Sequence, residues 1–137
     1  MKYVIDSSVA FKWVLREIDS DKAESLRDDY QNSVHELISP DLFQIELAHA
    51  LTRAERQKRI AVGEAEILWS EVMTTPPVFH DPLVARAIEL SSRHRMGVYD
   101  CVYLALAEQE ACELVTADAK LAGQKQFAFI LALADLP

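Results

Sequence analysis

The run Tyr3, Val4, Ile5, ending in Asp6 and followed by Ser7 and Ser8, limits what this chain can fold into more than any other stretch. Three large apolar residues suit a short buried strand, and that strand stops abruptly at a carboxylate. An acid at the carboxyl end of a core strand occupies the edge of an open α/β sheet where ligands bind, particularly near a reversal of strand order. Residues 9–15 are apolar apart from Lys12 and predict a first helix, capped by Ser7 or Ser8. The rest of the chain can then be searched for further acids delivered to Asp6.

Strands and helices alternate after that point. Residues 19–34 are polar and charged, with Ala23, Leu26, Tyr30 and Val34 at helical spacing, which predicts a surface amphipathic helix. Leu37 and Ile38 form a second strand, with a turn at Ser39, Pro40 and Asp41. Asp41 and Gln44 resemble a capping box for a helix to about residue 59. Its apolar positions, Leu42, Phe43, Ile45, Leu47, Ala48, Ala50, Leu51 and Ala54, predict a core-facing half, and Arg53, Arg56, Lys58 and Arg59 a basic end. Another helix is expected over 64–73, stopped by Pro76 and Pro77, and at best a short strand at 78–79. Asp81 and Pro82 suit the start of a helix to about 94, and Gly97 separates it from a helix over 99–110. Residues 114–116 predict a third strand, a short helix is expected around Leu121, and 127–131 read as another strand. The alternation predicts a three-layer α/β/α domain with a mainly parallel central sheet, spanning 1–137 as one unit without repeat or linker.

Composition narrows the functional classes. The chain has 137 residues, half of them hydrophobic, with three glycines, which is enough for a full core. Cys101 and Cys112 lie in apolar surroundings without a CxxC zinc pattern and read as reduced core residues of a cytoplasmic protein. The longest apolar run is too short to span a membrane, and no signal segment opens the chain. A net charge of −8 disfavours wrapping nucleic acid by bulk electrostatics, so any phosphate backbone would need a local basic patch, from Lys12, Arg16, Lys120 and the 53–59 segment. His35, His49, His80 and His94 make no HExxH or compact zinc set, and no phosphate-binding glycine loop is present.

Four acids stand out by setting. Asp6 and Asp118 each follow an apolar strand, while Glu46 and Asp100 sit near the starts of helices with apolar neighbouring turns. Each has an ordinary structural use: strand-end solvation for Asp6, helix capping for Asp100 and Asp118, an exposed helical acid for Glu46. Thr116 and Ser8 read first as local caps or hydrogen-bond donors. If the four converge, a unit-charge pair about 4 Å apart repels by roughly 4 kcal/mol at an effective dielectric of 20, which selects either protonation or a hard divalent cation. All-oxygen ligation favours Mg²⁺ or Mn²⁺ over zinc.

The segments VIDSSVAFKW, YDCVYLALAE and LVTAD, with Glu46 between them, resemble the successive signatures of PIN-domain ribonucleases, especially the virulence-associated toxin C branch of type II toxin–antitoxin systems. The resemblance implies a PIN-like fold and a Mg²⁺ or Mn²⁺ site formed by Asp6, Glu46, Asp100 and Asp118, with Thr116 and Ser7 or Ser8 in support. A further acid common in related domains, three residues beyond Asp118, is replaced here by Leu121, so the resemblance carries the four-acid core without that additional ligand for a second metal. The implied activity is endoribonuclease cleavage of RNA by in-line attack, leaving 5′-phosphate and 3′-hydroxyl ends. The implied partners are a cognate antitoxin and a second copy of the chain in a homodimer, with no membrane. The competing readings are an RNA-processing nuclease that is no toxin, and an inactive RNA-binding or protein-interaction domain.

Overall fold

A computed structural model describes all 137 residues. Five strands, β1 Lys2–Ile5, β2 Glu36–Pro40, β3 Val78–His80, β4 Glu113–Thr116 and β5 Ile130–Ala132, form one parallel sheet in the order β3-β2-β1-β4-β5. Parallel neighbours need crossover connections, so helices cover both faces. These helices are α1 Ser7–Val14, α2 Ser20–Gln31, α3 Leu42–Arg56, α4 Glu64–Val72, α5 Val84–His94, α6 Val98–Glu110 and the single turn α7 Ala119–Ala122.

Strand alternation sorts the core into two layers. Tyr3 and Ile5 of β1, Leu37 of β2 and Val115 of β4 point to one side and meet α1, α2, α3 and α4. Val4, Ile38 and Leu114 point to the other and meet α5, α6 and α7. The three-layer α/β/α architecture expected from the alternation is thus the one found. Helix α6 is the most enclosed: Cys101 through Ala107 are all buried, as expected of a helix apolar on every side.

The sheet order fixes where a site can form. The chain moves outward from central β1 to β2 and β3, then crosses to β4 on the far side of β1. The reversal falls between β1 and β4, and the crevice it opens lies at their carboxyl ends, beside Asp6 and Asp118.

Several local expectations are corrected. Asp6, not Ser7 or Ser8, is the N-cap of α1, its side chain accepting from the Ser8 N–H. Asp41 makes no capping bond: its backbone is already helical, and its N–H is held by the His80 carbonyl at the end of β3. Asp81 and Pro82 form an exposed link, and α5 begins two residues later. Ser39 and Pro40 belong to β2, and the Ser39 hydroxyl donates to the Ile5 carbonyl at 2.8 Å, tying β2 to the exit of β1. Strand β5 starts at Ile130. Phe127 instead packs edge-on against His94 and Phe129 in the second core layer. Ile45 is 71% exposed because Phe43, Leu47, Leu51 and Ala54 define the buried face of α3. Both cysteines are free thiols, and no helix is long and apolar enough to cross a membrane.

Candidate active site

Asp6 is 7% exposed, one of the few buried polar residues, and its carboxylate accepts three hydrogen bonds. The Ser8 hydroxyl and the Ser8 N–H donate to Oδ1, and the Thr116 hydroxyl donates to Oδ2 at 2.6 Å. The direction of both hydroxyl bonds is forced. The Ser8 Oγ accepts from the Ala117 N–H at 2.9 Å, and the Thr116 Oγ1 accepts from the Asp118 N–H at 3.0 Å, so each hydroxyl hydrogen is free to turn to Asp6. These bonds join the ends of β1 and β4 across the crevice. A carboxylate offers about four lone-pair sites, so one on Oδ2 remains open. The supporting hydroxyl is that of Ser8; Ser7 lines the cleft beside it.

Burial pushes the Asp6 carboxyl up to about 6, partly offset by the Ser8 and Thr116 donors and reinforced by the charges of Asp118 and Glu46. Glu46, half-buried on α3, is likewise raised by burial and by Asp100, while Tyr103 and His49 pull it down. Asp100, in the first turn of α6, is raised by burial and then by Asp118, with Lys120 opposing. Asp6 therefore feels the charges of Asp118 and Glu46, Glu46 feels that of Asp100, and Asp100 feels that of Asp118, so the four acids form an electrostatic ring around the crevice. Asp118 is exposed and caps α7, its Oδ1 accepting from the Lys120 N–H at 2.9 Å and its other oxygen free. Capping and a site role are compatible in one carboxylate.

None of the nine salt bridges of the chain reaches these four acids. The ring is also open: nowhere do three His, Cys, Asp or Glu side chains stand close enough to hold an ion by themselves. Hard oxygen donors, mutual repulsion and no paired cation fit a divalent ion whose remaining coordination is completed by water. Leu121, at the position of the missing acid, is 1% exposed in the core and contributes no donor.

The cleft beside the ring has a volume of about 510 Å³. Glu46, His49 and Arg53 lie on one stripe of α3 along it, at the i, i+3 and i+7 spacing of a helical face, and Gln57, just past the end of the helix, extends the lining. Of the expected basic residues, Lys12 and Arg59 line this cleft but both pair with Glu17, at 3.2 and 2.7 Å. Arg16 turns to Asp21 and Glu24 on the surface, and Arg56 and Lys58 are exposed away from the cleft. Arg53 is exposed and free of any ion pair. One residue that the sequence analysis does not single out stands beside the acids: the Tyr103 hydroxyl is buried, has no hydrogen-bond partner, and faces Glu46 without closing to bonding distance. Its spacing of three from Asp100 on α6 was the available signal.

Residues 3–126 match the PIN domain family. The chain is 31% identical over 126 residues to Ribonuclease VapC3 of Pyrobaculum aerophilum, covering 89% of this chain and 93% of that one. Its fold is similar to the crystal structure of PAE2754 from the same organism, with a TM-score of 0.72 at 20% identity over 98% of this chain and 93% of that one.

Proposed function

The chain belongs to the PIN-domain family, in its VapC branch, and on that premise we propose that it is a divalent-metal-dependent endoribonuclease, the cytoplasmic toxin of a type II toxin–antitoxin pair. The observation that carries this reading is the ring of Asp6, Glu46, Asp100 and Asp118 at the strand-order reversal, mutually repelling and without a paired cation.

Asp6, Glu46, Asp100 and Asp118 would hold Mg²⁺ or Mn²⁺, Asp6 through the open site on Oδ2 and Asp118 through the oxygen not used in capping. When bound, the ion supplies Lewis acidity toward water and phosphate and neutralises charge that builds on the phosphate. Ser8 and Thr116 keep Asp6 ionised and fixed in one orientation by donating to both its oxygens. Arg53, free of ion pairs on the α3 stripe, meets an RNA phosphate flanking the cut, locally offsetting the negative field of the molecule. No side chain needs to form a covalent bond to the substrate. The same acidic ring suits an Arg or Lys of an antitoxin segment, which would displace the ion and obstruct RNA together. A homodimer belongs to the reading, and Ile45, Val84 and Tyr99, exposed along one apolar groove, are where charge substitutions test it by sedimentation.

The test is cleavage of RNA by purified protein with Mg²⁺, with Mn²⁺ and with a chelator, beside Asp6→Asn, followed by mapping of the RNA ends. The expected result is cleavage that needs the ion and Asp6 and leaves 5′-phosphates. Cleavage that persists in chelator, or equally in the variant, would reject the metal-site mechanism; absence of cleavage in every condition would reject the nuclease.

A further inference from the structure

We propose that Tyr103 is a positioning residue for Glu46, its hydroxyl donating to one Glu46 oxygen when the site is loaded and so directing the other oxygen into the ring. The inference rests on the reading of Glu46 as an ion ligand and adds a residue which that reading does not require. Tyr103 is 1% exposed, and its ring is packed in the second core layer among apolar neighbours. A phenylalanine would fill that volume equally well, so the fold gives no reason for the hydroxyl. A buried hydroxyl without a partner is unfavourable and uncommon, and such exceptions call for an explanation.

The surroundings restrict what the partner can be. The charged groups felt by the Tyr103 hydroxyl are Glu46 first, then Asp6 and Asp100, all members of the ring. Glu46 has the complementary deficiency: it is half-buried and in no ion pair, and the Tyr103 hydroxyl is the foremost group that favours its ionised form. The two elements are well suited to the contact. Tyr103 stands three residues beyond Asp100 on α6, so one helix face carries both a ring carboxylate and the hydroxyl that faces the next carboxylate. Asp6 already has the Ser8 and Thr116 hydroxyls holding its two oxygens; Tyr103 would do the same for Glu46. Groups that orient ligands in this way typically change metal affinity by about 10–100-fold when removed.

Mn²⁺ alone is the probe, titrated calorimetrically into the full chain in wild type, Tyr103→Phe, Glu46→Gln, the double variant and Asp6→Asn, with melting of each metal-free protein measured alongside. Tyr103→Phe should weaken Mn²⁺ binding about tenfold without lowering the melting temperature of the metal-free protein. The double variant should bind no more weakly than Glu46→Gln, because the hydroxyl acts through that carboxylate. Wild-type affinity in Tyr103→Phe would overturn the inference. So would a double variant weaker than Glu46→Gln by the full factor, or a Tyr103→Phe chain that does not fold. Undiminished binding in both Asp6→Asn and Glu46→Gln would overturn the metal-site reading itself. Losses in those two with Tyr103→Phe unaffected would overturn only the role of Tyr103.

Discussion

The two sides of the acidic ring are built differently. On the strand side, Asp6 has three donors on its oxygens, the two hydroxyls among them are themselves held by backbone N–H groups, and Asp118 is anchored by the turn it caps. On the helix side, Glu46 and Asp100 are half-buried, in no ion pair, and faced by a hydroxyl that has no partner. Folding alone sets the geometry of the first pair, because the bonds that orient Asp6 are also those that join β1 to β4. The second pair is carried on helices whose packing fixes their backbones and leaves the carboxylates to be ordered by what binds between them. A preorganised half and an adjustable half together allow a site to be rigid where charge must be held and open where ligand must enter.

The largest effect should come from removing one ligand charge on each side. Asp6→Asn and Asp100→Asn are each expected to lower kcat/KM for RNA by more than about 100-fold, since changes merely next to metal ligands already cost 10–100-fold in activity. Circular dichroism on the same preparations should show native folding. Near-normal cleavage by Asp100→Asn would mean that the helix side is dispensable and the comparison mistaken.

A pH titration of the metal-free protein addresses the strand side. Because the Asp6 carboxyl is pushed up to about 6 from an ordinary 3.8, the native state binds this proton more tightly than the unfolded chain does. The stability it contributes is fully present below 3.8 and is lost as pH rises through about 6. At 1.36 kcal/mol per pKa unit, urea unfolding of wild type should lose about 2 to 3 kcal/mol relative to Asp6→Asn between pH 4 and pH 7. Parallel curves for the two proteins across that window would show that Asp6 is not buried as an isolated acid.

Thr116→Val and Glu46→Gln sharpen the contrast in one urea series. The first removes a donor to a buried carboxylate and orphans the Asp118 N–H, and should cost about 2 kcal/mol. The second alters a side chain without an ion pair and should change metal-free stability by less than about 0.5 kcal/mol, toward stabilisation as repulsion from Asp100 falls. Equal losses in both would erase the distinction between the sides. The smallest effect is expected from Arg53→Ala in an Asp6→Asn background: RNA binding about threefold weaker, with the logarithmic salt slope reduced by about one, as for loss of a single phosphate contact. An unchanged slope would remove Arg53 from the RNA path.

Much of this protein could be read from local patterns. A three-residue apolar run before Asp6, the apolar pair Leu114 and Val115 ahead of Asp118, and helical periodicity between them sufficed for the layered α/β architecture, because strand and helix periods are properties of neighbouring residues. The same local logic singled out the four acids, each an ionisable group interrupting an apolar stretch. Caps were less legible. Asp41 and Asp81 carry good capping chemistry, yet one is drawn into the sheet edge by His80 and the other remains in an exposed link, since a cap depends on where the preceding strand releases the chain.

Contacts between distant segments were beyond local reading. The choice of Ser8 over Ser7 beside Asp6, and the Thr116 bond across 110 residues, follow from the register of β1 against β4. The exposure of Ile45 follows from which stripe of α3 meets the core, where periodicity names the stripes without ranking them. Tyr103 is the sharpest case. In the sequence it is one more aromatic residue in an apolar helix, and its hydroxyl acquires meaning only when α3 brings Glu46 against α6. Spacing along a chain tells which side chains share a face; what that face meets is set by the packing of elements far apart in sequence, where burial and charge act through space.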